Sequence, residues 1–402
     1  MSEETAEQPF RLRSIALAAF GPSIVSSMGH GAVMPILALR ARELGADVST
    51  AALVVGLLGV GMLLTSLPAG VVVSRIGERR ALIVAGVLDA TAMAWAAVTP
   101  SVAGLAVAVL VSGMSWTTFL LSRQGFMIDA VPLAFRARGM ATLGGSNRAG
   151  VFLGPLIGAG LISLGGLPAA FWLASALALT SATLAGLMPD LGSEHRERER
   201  AAGHVKLFTV LAGHRSVLLT LGSAVVVIAV SRSVRTSLLP LWADHISLDA
   251  STTSLVFSLA ALVDLLFFYP GGWMIDRFGR ASVAVPVVLA AAGACLVLPL
   301  TGGIVGFALV MVLLAAGNGL GSGIVMTLGA DAAPGRGRSQ FLGAWRLCGD
   351  LGTTGGPLLV SGVAAVAPLA AASVVIGGVL VAGTAWVGWW TRAVDRRRTA
   401  VS

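Results

Sequence analysis

Apolar runs long enough to cross a lipid bilayer follow one another along this chain, separated by short polar gaps. They fall at roughly 14–39, 51–73, 81–98, 102–130, 139–163, 167–189, 215–242, 252–273, 281–299, 303–330, 340–364 and 367–391. A helix needs about 20 apolar residues to cross the hydrocarbon. There, every backbone N–H and C=O must be satisfied within the structure, which leaves helices or a closed barrel. The runs are continuous rather than alternating, which excludes the barrel. The expected fold is an all-α membrane protein with twelve transmembrane helices. Composition agrees: 56% of residues are hydrophobic and 11% charged, against about 45–50% and 25% in soluble domains.

The position of the charges matters more than their sum. The formal net charge is +8, which in a soluble protein would suggest nucleic acid. Here the basic residues gather in alternate short loops and at the ends. Arg75, Arg79, Arg80, Arg136, Arg138, Arg277, Arg280, Arg336 and Arg338 lie on one side with the linker arginines and both tails, and only Arg40 and Arg42 lie on the other. The positive-inside rule then places both termini in the cytoplasm of a multi-pass cell-membrane protein, and an even number of spans requires them to share a side. No nucleic-acid partner is expected. The first apolar run is too long for a signal-peptide core and reads as a retained helix. Cys295 and Cys348 offer no metal spacing and no disulfide framework, and no cofactor is expected.

A second regularity sets the architecture. The stretch "PAGVVVSRIGE", 68–78, returns as "PGGWMIDRFGR", 270–280, at an offset of 202 residues. The same offset carries Asp47 to Asp249, Asp129 to Asp331, Pro132 to Pro334, Gly150 to Gly352, Gly154 to Gly356 and Pro155 to Pro357. The chain therefore reads as two parallel-repeat six-helix bundles, 14–189 and 215–391. A charged cytoplasmic linker, 190–214, joins them, with tails at 1–13 and 392–402. Parallel repeats of this kind place a substrate site between the halves near the bilayer midplane.

Six plus six helices with this loop after the second resemble the major facilitator superfamily over essentially the whole chain, most closely its twelve-helix bacterial drug–proton antiporters. Gly70, Arg75, Gly77, Arg79 and Arg80 match the family's loop motif, and Gly272, Asp276, Arg277, Gly279 and Arg280 match it better. The first copy has Ser74 where the second has Asp276. The resemblance implies that these loops gate the cytoplasmic side, helped by the acid that Asp129 matches. Gly150, Gly154, Pro155 and Gly158 are similar to the antiporters' helix-5 motif, with Ala159 where a further glycine is usual. The family's early arginine of helix 4 is missing, and Arg123 lies later in that helix.

Charges inside membrane spans are functional candidates: Asp89, Arg123, Arg148, Arg232, Arg235, Asp264, Arg346 and Asp350, with His30 beside them. At 1.5 Å per residue, Arg148 lies roughly 13 Å and Asp264 roughly 12 Å from the cytoplasmic ends of their helices. In the resembling fold helices 5 and 8 pack across the interface, so these two are expected to face each other. Arg346 and Asp350, one turn apart, are expected to pair within helix 11. A buried carboxylate beside a movable arginine has an adjustable proton affinity, which makes Asp264 first and Asp350 second the expected proton carriers. Asp89, on a peripheral helix, reads as structural. His30 and Arg232, repeat partners, are expected at the outer vestibule, and Arg235 nearer the surface.

The expected function is secondary active transport of a small molecule by alternating access, as proton-coupled efflux by a monomer. An uptake symporter or facilitator for a polar nutrient is the alternative. A non-transporting receptor or scaffold on the same fold is the alternative of another class. No nucleophile–base pair, metal cluster or phosphate loop suggests an enzyme.

Overall fold

The computed structural model describes residues 16–66, 68–131, 136–188, 213–333 and 338–399. Twelve helical units follow in order. The first half holds α1 (Ala16–Val33 continued by Leu37–Glu43), α2 (Val48–Ser66 continued by Pro68–Ile76), α3 (Glu78–Val98), α4 (Val102–Ala130), α5 (Arg136–Gly165) and α6 (Leu167–Gly186). The second holds α7 (Arg215–His245), α8 (Ala250–Phe278), α9 (Ala281–Leu300), α10 (Ile304–Ala332), α11 (Arg338–Ala364) and α12 (Leu369–Thr399). Ten are long and apolar enough to cross a membrane, and α1 makes an eleventh when its two pieces, bent by 41°, count as one span. The twelfth, α11, is 27 residues long. Arg346, Asp350, two threonines and several glycines lower the hydropathy of its central stretch.

The bend in α1 falls at Met34–Ile36, where Pro35 has no N–H to give the helix. In α10 a 3-10 turn, Gly321–Gly323, separates Ile304–Leu320 from Ile324–Ala332, and such mid-helix turns often mark hinges. Both described chain ends leave on one face, called here the terminal face. Trp273 and Trp389 are exposed toward it, and Trp95 and Trp172 toward the opposite, distal face. Exposed aromatics near both faces form the belts expected at lipid–water boundaries.

Within each half the packing relies on small residues. In the first, α1 lies against α5 and α6; in the second, α7 lies against α11. A Cβ on Gly150 or Gly154 would strike the α1 backbone at Ile24, Met28 and Ala32, and one on Gly352 would strike Val226 and Ala229 of α7. Without side chains there, the helix axes approach closely enough for dispersion contacts to hold them.

The halves meet along two seams, α2 with α11 and α5 with α8, and the 202-residue offset maps one onto the other. Near the distal face Ser49 donates to the Ser361 carbonyl at 2.8 Å, and Ser251 donates to the Ala159 carbonyl at 2.9 Å. These are the same bond in the two seams. Asp47 and Asp249, also equivalent, cap α2 and α8 by accepting from the Thr50 and Thr252 backbone N–H groups. Hydrogen bonds from Thr50 and Thr252 hold both carboxyls below their ordinary range. Between the seams Arg42 donates to Asp244 at 3.1 Å across a separation of 202 residues. Two residues related by the repeat that touch each other lie on its pseudo-twofold axis. The distal side is thus sealed by contacts between the halves.

One expected boundary changes. The last helix does not stop at 391 but continues to Thr399, because Asp395 docks on the start of α9. Of the expected linker 190–214, only residues 213 and 214 are among those described, and the tail 1–13 lies outside them.

Candidate functional site

Asp264 lies on a stripe of α8 that buries Thr253, Phe257, Ala260, Ala261, Gly271 and Ile275 at helical spacing, and it is 6% exposed itself. A carboxylate placed there requires donors. Arg148 of α5, in the other half, pairs with its Oδ1. Asn318 Nδ2 of α10 donates to Oδ2, and Arg235 of α7 donates to the same oxygen at 3.3 Å. Arg148 also donates to Ser322 Oγ and lies 4.5 Å from the Phe268 ring centre. Arg232 donates to Asn318 Oδ1 at 2.5 Å. One carboxylate thus gathers three helices of the second half and one of the first, beside the 3-10 turn of α10.

The other seam carries the equivalent position with the opposite charge. Asp350 is the repeat partner of Arg148, and it accepts from Ser66 Oγ at 3.1 Å. Ser66 is in turn the partner of Phe268. Arg346 donates to Gln124 Oε1 of α4 at 3.4 Å. The expected ion pair between Arg346 and Asp350 is not formed. One turn of helix puts them on the same face, but each turns to the opposite half, toward α4 and α2 respectively. Arg123, next to Gln124, is 7% exposed; its Nε and Nη1 have no hydrogen-bond partner, and its guanidinium lies 5.7 Å from the Phe119 ring centre.

His30 and Arg232 do not line an outer vestibule. His30 stacks on Trp116 at 4.1 Å inside the first half, on a small cavity that also takes in Met93, Asp89 and Ser112. Ser112 donates to Asp89 at 2.5 Å. Arg232, Arg235 and Asn318 line the matching cavity of the second half. The offset pairs His30 with Arg232 and Trp116 with Asn318, so one contact is built twice with different chemistry. Arg235 is not near the surface but in the Asp264 cluster, because α7 turns that face toward α8.

At the terminal face the two loop motifs differ. Gly77 and Gly279 both turn the chain with positive φ, 87° and 86°, a conformation that favours glycine. In the second copy Arg280 is buried and pairs with Asp331 at 2.8 Å, while Asp395 of α12 accepts from the Arg280 and Ala281 backbone N–H groups. Asp276 and Arg277 are exposed, and Arg277 lies over Trp273 and Phe278. In the first copy Arg79 donates to the Gly186 carbonyl, and Arg75 and Arg80 are exposed. Glu78 takes the place of Arg280. The Ser74 and Asp129 side chains lie outside the described residues. The bonds of Arg79, Arg280 and Asp395 just described each lie within a single half. The helix-5 glycines, with Gly158 against Ala32 and Pro155 near Gly31, pack α5 on α1.

Several partners were not singled out from sequence: Asn318, Ser322, Ser66, Gln124 and Trp116. Asn318 carried a signal, as an amide inside the apolar run of α10.

Comparison with known proteins completes the picture. A sequence profile described as "Major Facilitator Superfamily" matches residues 20–357 and again 221–402. No curated protein sequence matches the chain. Among solved structures, a POT family transporter in complex with a thioalcohol-conjugated peptide is similar at TM-score 0.76 and 15% identity, covering 95% of this chain and 96% of that one. A bacterial homologue of the human lysosomal transporter Spinster, inward-facing and unoccupied, is similar at 0.75 and 14%, covering 97% and 99%. The nucleoside transporter NupG is similar at 0.73 and 11%, covering 94% and 99%. At these identities the likeness is one of fold.

Proposed function

The chain belongs to the Major Facilitator Superfamily, and from that premise we propose that it is a secondary active transporter that expels a small molecule from the cell by alternating access, driven by proton entry. The terminal face is the cytoplasmic one in this reading, in keeping with the arginines that crowd its loops, and the protein works as a monomer in the cell membrane. It is a carrier rather than an enzyme.

The observation that carries the reading is the Arg148–Asp264 pair. It joins the two halves within the membrane and is the contact that rocking must break. A proton on Asp264 removes the charge that holds Arg148 and Arg235, and the α5–α8 seam is then free to part. Asp350 is the second proton carrier, at the equivalent place in the α2–α11 seam. The terminal-face loops steady the opposite pose, with Arg280 and Asp331 fixing the second loop. Efflux rather than uptake follows from the likeness of the α5 glycine motif to that of the family's antiporters.

The test is reconstitution into vesicles containing a pH-sensitive dye. A panel of dyes and antibiotics is added, and substrate-driven proton movement is recorded. Proton release on adding a transported compound supports antiport. Transport by Asp264→Asn with unchanged pH dependence removes Asp264 from the role.

A further inference from the structure

The geometry points to a substrate that carries a negative charge, a carboxylate or phosphate ester, received between Arg123 on α4 and Arg346 on α11; this rests on the transport reading above. The argument begins with charge balance. Away from the ends of the described spans lie five guanidiniums, Arg123, Arg148, Arg232, Arg235 and Arg346, against the carboxylates of Asp89, Asp264 and Asp350. Only Asp264 is paired with arginines; Asp89 and Asp350 accept from serine hydroxyls, which leave their charge in place, so five positive charges still stand against three negative ones. Asp89 takes the Ser112 hydroxyl in the cavity of the first half. Asp264 accepts from Arg148, Arg235 and Asn318, and Asp350 accepts from Ser66.

Arg123 and Arg346 form no ion pair among the described residues. Arg346 has one long hydrogen bond, to the neutral Gln124 side chain. Arg123 is more than nine-tenths buried, with Nε and Nη1 unbonded, and the positive charge of Arg346 acts on it. A buried guanidinium without a counter-charge, beside a second cation, is costly. Arg346 reaches α4 at Gln124, the residue next to Arg123, so the two cations face the same seam.

The two lie at matching depth. Arg123 is about 10 Å and Arg346 about 12 Å from the terminal-face ends of their helices. They belong to different halves, so a ligand bound to both spans the seam that must move. Guanidiniums hold planar oxyanions through paired N–H bonds, and an oxyanion here satisfies the orphan donors and relieves the repulsion together.

The experiment uses the full chain purified in detergent. Thermal unfolding is followed with succinate, benzoate and glycerol 3-phosphate, with their neutral counterparts succinamide, benzamide and glycerol, and with the cation tetraphenylphosphonium. At least one anion raises the unfolding temperature while its neutral counterpart and the cation do not, and which one responds separates carboxylate from phosphate recognition. Arg123→Gln and Arg346→Gln each weaken that binding about tenfold or more, as expected for hydrogen bonds to a charged group, and Arg346→Lys retains part of it. Without ligand, Arg123→Gln unfolds at a higher temperature than the parent, because an uncompensated charge is gone; a merely structural arginine gives the reverse. The proposal is overturned by stabilisation from the cation alone, by no stabilisation from any anion, or by binding undiminished in both glutamine variants. Spin-label distances between positions 49 and 361, across the same seam, report separately on movement of the halves. If these change while no anion binds, the anion site falls and the transport reading stands.

Discussion

Arg148 and Asp264 belong to different halves of the chain and meet within the membrane, where the carboxylate also takes hydrogen bonds from Arg235 and Asn318. Asp264→Asn leaves three arginines clustered without an anion. Losing one partner of a buried pair costs about 3–5 kcal/mol, so the variant unfolds at a markedly lower temperature in detergent. Arg148→Gln on the same background recovers part of the loss. Equal unfolding of parent and Asp264→Asn would show that the pair contributes nothing.

Arg42 and Asp244 hold the distal side closed from the pseudo-twofold axis. Both are partly exposed, so the pair is worth about 0.2–1 kcal/mol. Arg42→Ala therefore enlarges the distal-open population by about 1.4- to five-fold, read as longer spin-label distances between positions 49 and 361. The exchange Arg42→Asp with Asp244→Arg restores the parent distribution, since each residue then occupies an equivalent site. A double exchange that behaves like either single change would contradict the axial geometry.

The glycines of α5 are not interchangeable. A Cβ at Gly154 meets the Met28 carbonyl and Ala32 nitrogen of α1, whereas at Gly160 it meets open space. Gly154→Ala loses about 1–3 kcal/mol through forced separation of the helices. Gly160→Ala gains about 0.5–1 kcal/mol by removing backbone freedom from the unfolded chain. Unfolding temperatures of the two variants should move in opposite directions.

The loop motif contains glycines of two kinds. Gly279 has φ of 86° and its missing Cβ would press on the Asp395 carboxylate, while Gly272 has open space around it. Gly279→Ala costs at least about 1–2 kcal/mol in backbone strain and loosens the end of α12, seen as faster amide exchange around Asp395. Gly272→Ala leaves that exchange unchanged.

The caps of α2 and α8 give the distal face a dependence on acid. Hydrogen bonds from Thr50 and Thr252 hold Asp47 and Asp249 below their ordinary value of 3.8. A carboxylate depressed in the folded state contributes stability above its unfolded value, and the contribution is lost as pH falls through the lower, folded one. Both caps are therefore intact at neutral pH and fail below about pH 4. Asn at both positions keeps the cap geometry and flattens the acid limb of a plot of unfolding temperature against pH.

How much of this was legible depends on the kind of residue. Arg148 and Asp264 stand out because charges in apolar runs are scarce, and counting helical rise places them at one depth. Asn318, Ser322, Ser66 and Gln124 do not, because uncharged polar residues are common in spans and their partners depend on how each helix is rotated. The spacing of Arg346 and Asp350 gave adjacency, but not the competition from α4 and α2 that decides their bonds. His30 and Arg232 were recognised as equivalent, yet equivalence says nothing about which way a helix face turns. Asp395 was hidden by the basic run after it, which reads as a tail although α12 continues through it. The Arg42–Asp244 contact was not legible either, because every position has a counterpart at the offset and only the packing of the halves shows which pair lies on the axis.

That contact also bears on how such a molecule comes to exist. Were either half to associate with an identical copy of itself about the same axis, the meeting point would hold two arginines or two aspartates at about 3 Å, and like charges there would push the pair apart. The attraction exists only because one ancestral address is written differently in two tandem copies on one polypeptide. This ion pair therefore requires the two copies to differ at one address, and neither unit, doubled, inherits it.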